Sequence, residues 1–194
     1  MRKLAAILCL SALTTGAFAQ GLVNFLNNNS TLTSATINNQ TATASGPVGS
    51  WYYGLLIGSG SNPDAFTFAG VYATNLATAG RFFGGTSVPV TAWVAGSTTN
   101  YAVAMWSSSL GATFQSSWLA GNFGGKTGNF GISPVATGIS GGAGSPASPA
   151  YNLFGGTTGI QTGFNALAVG VPEPSSMALA GLGAAALLIF RRRK

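Results

Sequence analysis

The sequence predicts an all-β domain, an antiparallel β-sandwich or jelly roll, set between two short terminal segments of different character. Two observations carry that reading for residues 21–170. Apolar side chains recur at every second position in short runs, and Gly, Asn, Ser and Pro separate the runs. A third is negative: no stretch between the termini keeps a helical period. Several short strands punctuated by turn residues are the pattern of sandwiches and jelly rolls.

Taken in chain order, "GLVNFLN" and "TLTSATI" are the first candidate strands. "SWYYGLLIG" places Trp51, Tyr53, Leu55 and Ile57 on one side, which predicts a core face. "AFTFAGVYAT" does the same with Phe66, Phe68 and Tyr72. "VPVTAWVAG" sets Val88, Val90, Ala92 and Val94 against Pro89, Thr91 and Trp93, so the indole is expected to point outward. "NYAVAMWSS" alternates Tyr101, Val103 and Met105, leaving Trp106 on the side of Ala102 and Ala104. "ATFQSSWLA" and "FNALAVG" complete the set. Residues 131–150, low in complexity and rich in Gly, Ser and Pro, read as a flexible loop or linker. "GNFG" occurs at 121–124 and again at 128–131, too short a repeat to imply a repeat architecture.

The net charge of +6 resembles a nucleic-acid signal until the charges are located. Arg2, Lys3, Arg191, Arg192, Arg193 and Lys194 are terminal, and Arg81 and Lys126 are the only cations between them. Phosphate recognition needs clustered cations on a folded surface, so a nucleic-acid partner is not expected. Histidine is absent and Cys9 is the only cysteine. No disulfide, no His or Cys metal site and no cofactor are therefore expected.

The N-terminus, "MRKLAAILCLSALTTGAFAQ", has a basic start, an apolar stretch and small residues at Ala17 and Ala19. That is the layout of a secretory signal peptide over 1–19, cut by signal peptidase between Ala19 and Gln20. Cys9 lies inside the apolar stretch behind Leu8, unlike a lipoprotein cysteine, and would leave with the signal. At the other end, 175–190 is uncharged and mostly apolar, about 24 Å long as a helix. It is slightly short for a membrane span, and the long arms of Arg191, Arg192, Arg193 and Lys194 are expected to snorkel and cover the difference. Those cations favour the cytoplasmic side, which keeps the domain at 20–170 outside, as the signal peptide also requires. Ahead of the helix, Pro172 and Pro174 hold Val171, Pro172, Glu173 and Pro174 extended, a form suited to a protease cleft.

Val171-Pro172-Glu173-Pro174, the apolar segment and the terminal Arg cluster together resemble the PEP-CTERM sorting signal of exopolysaccharide-producing Gram-negative bacteria. The tail is also similar to the module known as the ice-binding protein C-terminal domain. The first resemblance implies that an exosortase, a membrane-embedded cysteine peptidase, recognises Val171, Pro172, Glu173 and Pro174 and releases or transfers the protein from the inner membrane to the cell surface. The centre is loosely similar to exported Gly- and Asn-rich proteins that carry this tail, and that likeness brings no activity.

Catalysis finds few tools in the remainder. Gly138-Ile139-Ser140-Gly141-Gly142 matches a bare G-x-S-x-G, yet Ser140 has no histidine to serve as its base. Asp64 is the only carboxylate of the domain, one short of a glycosidase pair, and after Asn62-Pro63 it reads as a turn residue. Asn29-Ser30-Thr31 and Asn39-Gln40-Thr41 fit the glycosylation pattern but equally suit turns. Thr31/Thr33 and Thr41/Thr43 have the spacing of an ice-binding ladder without a repeat to stack them. The expectation is an exported, non-catalytic surface or matrix protein. The alternative is an adhesin-like, carbohydrate-binding module, with Trp93 and Trp106 as candidate contacts to exopolysaccharide.

Overall fold

The alternation at 51–58 and 101–105 becomes the centre of the fold. A computed structural model describes residues 20–170, and these form eleven strands and no α-helix. They are β1 (Gln20–Leu26), β2 (Ser34–Ile37), β3 (Gln40–Thr43), β4 (Trp51–Gly58), β5 (Thr67–Asn75), β6 (Phe82–Val94), β7 (Thr98–Ser107), β8 (Gly128–Ile132), β9 (Ala136–Ile139), β10 (Tyr151–Asn152) and β11 (Asn165–Val169). The segments at 1–19 and 171–194, with the expected signal peptide and membrane helix, lie outside the described residues.

All eleven strands belong to one curled sheet in the order β10-β1-β6-β5-β4-β7-β8-β11-β2-β3, with β9 on the other half of the β7 edge. The curl returns upon itself. Thr98 to Tyr101 of β7 pair with β9, and Gly141, just past β9, exchanges two backbone hydrogen bonds of 3.0 and 3.1 Å with Leu22 of β1. Strands β1, β6, β5, β4, β7 and β9 thus form a ring. The expectation of two face-to-face sheets is replaced by a single sheet closed around its own core. Closure pairs β1 with the segment after β9, so the ring presents fewer open edges than a flat sheet of this size, while β3 remains an edge strand.

Period two then sorts the side chains. Trp51, Tyr53, Leu55 and Ile57 of β4 and Tyr101, Val103 and Met105 of β7 point inward, joining Val23, Phe25, Phe82, Val90 and Trp93. The outer face of the same strands is also buried. Leu56, Ala102, Ala104 and Trp106 lie under Leu110, Phe114 and Trp118, which the connection from β7 to β8 folds across them. Small Ala102 and Ala104 leave room for the Trp106 ring, which stacks among Tyr52, Phe114 and Trp118 at centroid distances of 5.7–6.0 Å.

Two expected elements change character here. Residues 112–120 form no strand. They supply the cover, ending in a 3-10 turn at Ser116–Ala120. Residues 131–150 are not a free linker, because they hold the end of β8, all of β9 and the Gly141 contact that closes the ring.

The strand registers also fix two ends. Ser107, Trp51, Asn75, Phe82, Gly128 and Val169 share one end, with the β2–β3 turn beside them. Gly58, Thr67, Thr98 and Ile139 share the other.

Candidate functional site

Each candidate residue can now be placed. Val171, Pro172, Glu173 and Pro174, the cations 191–194, and Ala17 and Ala19 lie outside the described residues. Gln20 opens β1 and is exposed, paired with Val94. At the other boundary the chain leaves β11 through Gly170, whose φ of +62° is left-handed and whose missing Cβ leaves space for the Lys126 carbonyl. Val169 still pairs with Gly128, so no linker separates the sheet from residue 171.

Trp93 and Trp106 are not surface aromatics. Trp93 is 1% exposed and Trp106 is fully buried. The Trp93 indole donates to the Ser97 carbonyl at 2.9 Å, and that of Trp106 to the Gly111 carbonyl at 2.8 Å. The reason for the Trp93 inversion is a register shift. Gln20 pairs with Val94 but Gly21 pairs with Val90, so β6 carries extra residues between the two pairs. Such a bulge reverses which face later side chains occupy. Val90 and Trp93 both turn inward, while Ala92 and Val94 are exposed.

Ser140 is buried and its hydroxyl donates to the Val94 carbonyl at 2.7 Å, so it serves the ring closure. Asp64 sits exposed in a 3-10 turn at Pro63–Ala65 whose amide donates to Asn62 Oδ1 at 3.0 Å. Thr31 and Thr33 are buried, which takes them out of any ice-facing ladder, whereas Thr41 and Thr43 are exposed on β3. Among the described residues no three His, Cys, Asp or Glu side chains cluster.

What the sequence missed is a groove of about 420 Å³ at the Ile139 end, lined by Thr98, Thr137, Gly138, Ile139, Tyr151 and Thr158. The Tyr151 ring lies against Gly138, where a Cβ would collide with it. The Tyr151 hydroxyl lies 3.1 Å from Thr158 Oγ1 and 3.3 Å from the Thr137 carbonyl, with one proton to donate to either. Tyr101 and Trp93 support it from beneath, at 6.0 and 6.2 Å between ring centroids. An aromatic ring beside several hydroxyls, with no charge in the lining, suits a neutral polyhydroxylated ligand. The signal was faint: a lone tyrosine after the Pro-rich stretch, brought to β9 only by the parallel pairing of β10 with β1.

The buried phenols elsewhere are structural. Burial pushes Tyr53 up to about 12, partly offset by its hydrogen bond with Thr33 Oγ1 at 2.9 Å. Burial likewise raises Tyr101, whose hydroxyl donates to the Leu153 carbonyl at 2.7 Å.

Comparison with known proteins locates a function at the tail. The family model of the PEP-CTERM protein-sorting motif matches residues 170–194. That motif supports an exported protein processed by an exosortase, with sorting at a membrane. No curated protein matches the chain. No solved structure does either.

Proposed function

We propose that the chain is an exported, non-catalytic surface or extracellular-matrix protein. It is held in the inner membrane by its C-terminal segment until an exosortase-type peptidase acts at Val171-Pro172-Glu173-Pro174. The carrying observation is the PEP-CTERM motif at 170–194, immediately after the last strand. Glu173 is the sole charge between the two ends of that stretch until Arg191, which makes it the natural recognition group in an otherwise apolar tail. The test is Glu173→Ala expressed in an exosortase-bearing host. The full-length variant should accumulate in the inner-membrane fraction, and release at the wild-type level would refute recognition through Glu173.

A second reading, an adhesin-like domain that holds a neutral glycan, rests on the Tyr151 groove. Exopolysaccharide is the ligand class that hydroxyls and an aromatic face would recognise. Under this reading Tyr151→Ala lowers retention on the producer's exopolysaccharide at least about tenfold while the domain stays folded, the scale of one lost aromatic contact. Unaltered retention by a folded Tyr151→Ala variant removes the groove from consideration.

A further inference from the structure

The two ends of the sheet differ in a way that the sorting motif alone does not require. Both cations of residues 20–170 lie at the end where the chain leaves for residue 171. Arg81 closes the β5–β6 connection, with Nη1 2.7 Å from Asn29 Oδ1, and Lys126 lies against Gly170, exposed, with Nζ 2.8 Å from the Leu110 carbonyl. The single carboxylate, Asp64, is at the opposite end, in the β4–β5 connection. The exit end also projects apolar tips: Ile37 beside the β2–β3 turn is 54% exposed, Val48 before β4 is 65% exposed and Leu76 after β5 is 39% exposed. Val94 and Ile139 are exposed at the far end, but among the described residues the one charged side chain there, Asp64, is anionic.

We propose that the exit end of the domain is a bilayer-contacting surface, seated on anionic headgroups by Val48, Ile37 and Leu76 with Arg81 and Lys126 between them. The proposal rests on the reading that the tail is inserted in the membrane, and the length of chain outside the structure supplies the occupant. Residues 171–174, even fully extended, reach at most about 14 Å. A headgroup layer is roughly 5–8 Å thick on each side of the hydrocarbon. With 175–190 in the hydrocarbon, the end bearing Gly170 is tethered within about 6–9 Å of the headgroup surface, close enough for its side chains to reach the lipid. Apolar tips with cations on the same end are what an interfacial contact with anionic lipid favours, and an acidic end would be repelled. The sorting motif is thereby held at the headgroup level, where a membrane-embedded peptidase meets it.

The experiment uses the chain from Gln20 to Lys194, the form left once the signal peptide is removed and free of native cysteine, with single introduced cysteines carrying an environment-sensitive fluorophore. The variants are Val48→Cys, Leu76→Cys, Asp64→Cys, Ile139→Cys and, as the anchoring control, Leu188→Cys. Each is reconstituted into vesicles of phosphatidylethanolamine and phosphatidylglycerol, and quenching by spin-labelled lipid is read. Labels at 48, 76 and 188 should be quenched and blue-shifted, and those at 64 and 139 should behave as in water. If 188 is quenched but 48 and 76 match 64 and 139, this inference fails while the anchoring stands. If 188 is not quenched, anchoring fails and takes the inference with it. Equal quenching at 48, 76, 64 and 139 also overturns it, because no one end would then be preferred.

Discussion

At the scale of single residues, the molecule shows side chains whose polarity invites a functional reading and whose geometry gives a structural one. Asn75 is the clearest. It is 1% exposed, its Oδ1 accepts from the amides of Gly49 and Trp51, and its Nδ2 donates to the carbonyls of Gly46, Pro47 and Leu76. Gly46, Pro47 and Gly49 belong to the irregular loop before β4, which has no ladder to satisfy them. Asn75→Ala strands them in a dry environment and should cost about 2–4 kcal/mol, read from denaturant unfolding. A loss under about 1 kcal/mol would mean that water replaces the amide. Trp93 makes the complementary case. Removing a fully packed indole from the inner core should cost about 3–5 kcal/mol. A Trp93→Ala variant of wild-type stability would contradict its burial among Val90, Tyr101 and Tyr151.

At the scale of elements, what the sequence displayed and what it hid divide along sequence distance. Strands β4 and β7 were legible because large apolar side chains recur at every second position from Trp51 to Ile57 and from Tyr101 to Met105. Strand β6 was legible only from Val88 onward, and its face assignment inverted at the bulge, since a bulge depends on how β1 pairs and leaves no mark in β6 itself. Residues 112–120 alternate like a strand because Phe114 and Trp118 reach the outer face of β4 and β7 from a loop, where spacing is set by the path of the chain and not by a pleat. Strand β9 and the Tyr151 groove were invisible because pairing across more than 30 residues defines them. The tail, being read as a linear signal, was the most legible part. The cover suggests its own test. Trp118 meets Trp106, Phe114, Phe123 and Phe130 within 6.2 Å, so Trp118→Ala should loosen the covering segment and β8 before the inner core. Amide exchange should accelerate in β8 and stay slow in β1 and β6. Equal acceleration in all three would show that cover and ring unfold as one unit.

At the scale of the whole molecule, the scarcity of charge governs how stability responds to pH. The described residues contain one carboxylate, Asp64, which is exposed, and no histidine, so the usual routes of acid unfolding are missing. The groups able to couple folding to protons are the buried phenols. Tyr53 has a folded value near 12 against 10.0 unfolded, and Tyr101 is displaced in the same direction, both chiefly by burial. For a phenol the raised value means that the native state keeps its proton where the unfolded chain has released it. Below pH 10 both states are protonated and the stability is fully present. Above it, the unfolded state binds fewer protons and stability falls as pH rises toward the folded values. The slope there approaches about 1.4 kcal/mol per pH unit for each such tyrosine. Urea midpoints of the 20–170 domain should therefore stay level from acid to mildly alkaline conditions and drop above pH 10. Tyr53→Phe, which keeps the stack on Phe82 at 4.1 Å, should soften that drop. A midpoint that instead falls on acidification would contradict the assignment to the phenols. An alkaline drop of the same steepness in Tyr53→Phe would assign it to other phenols.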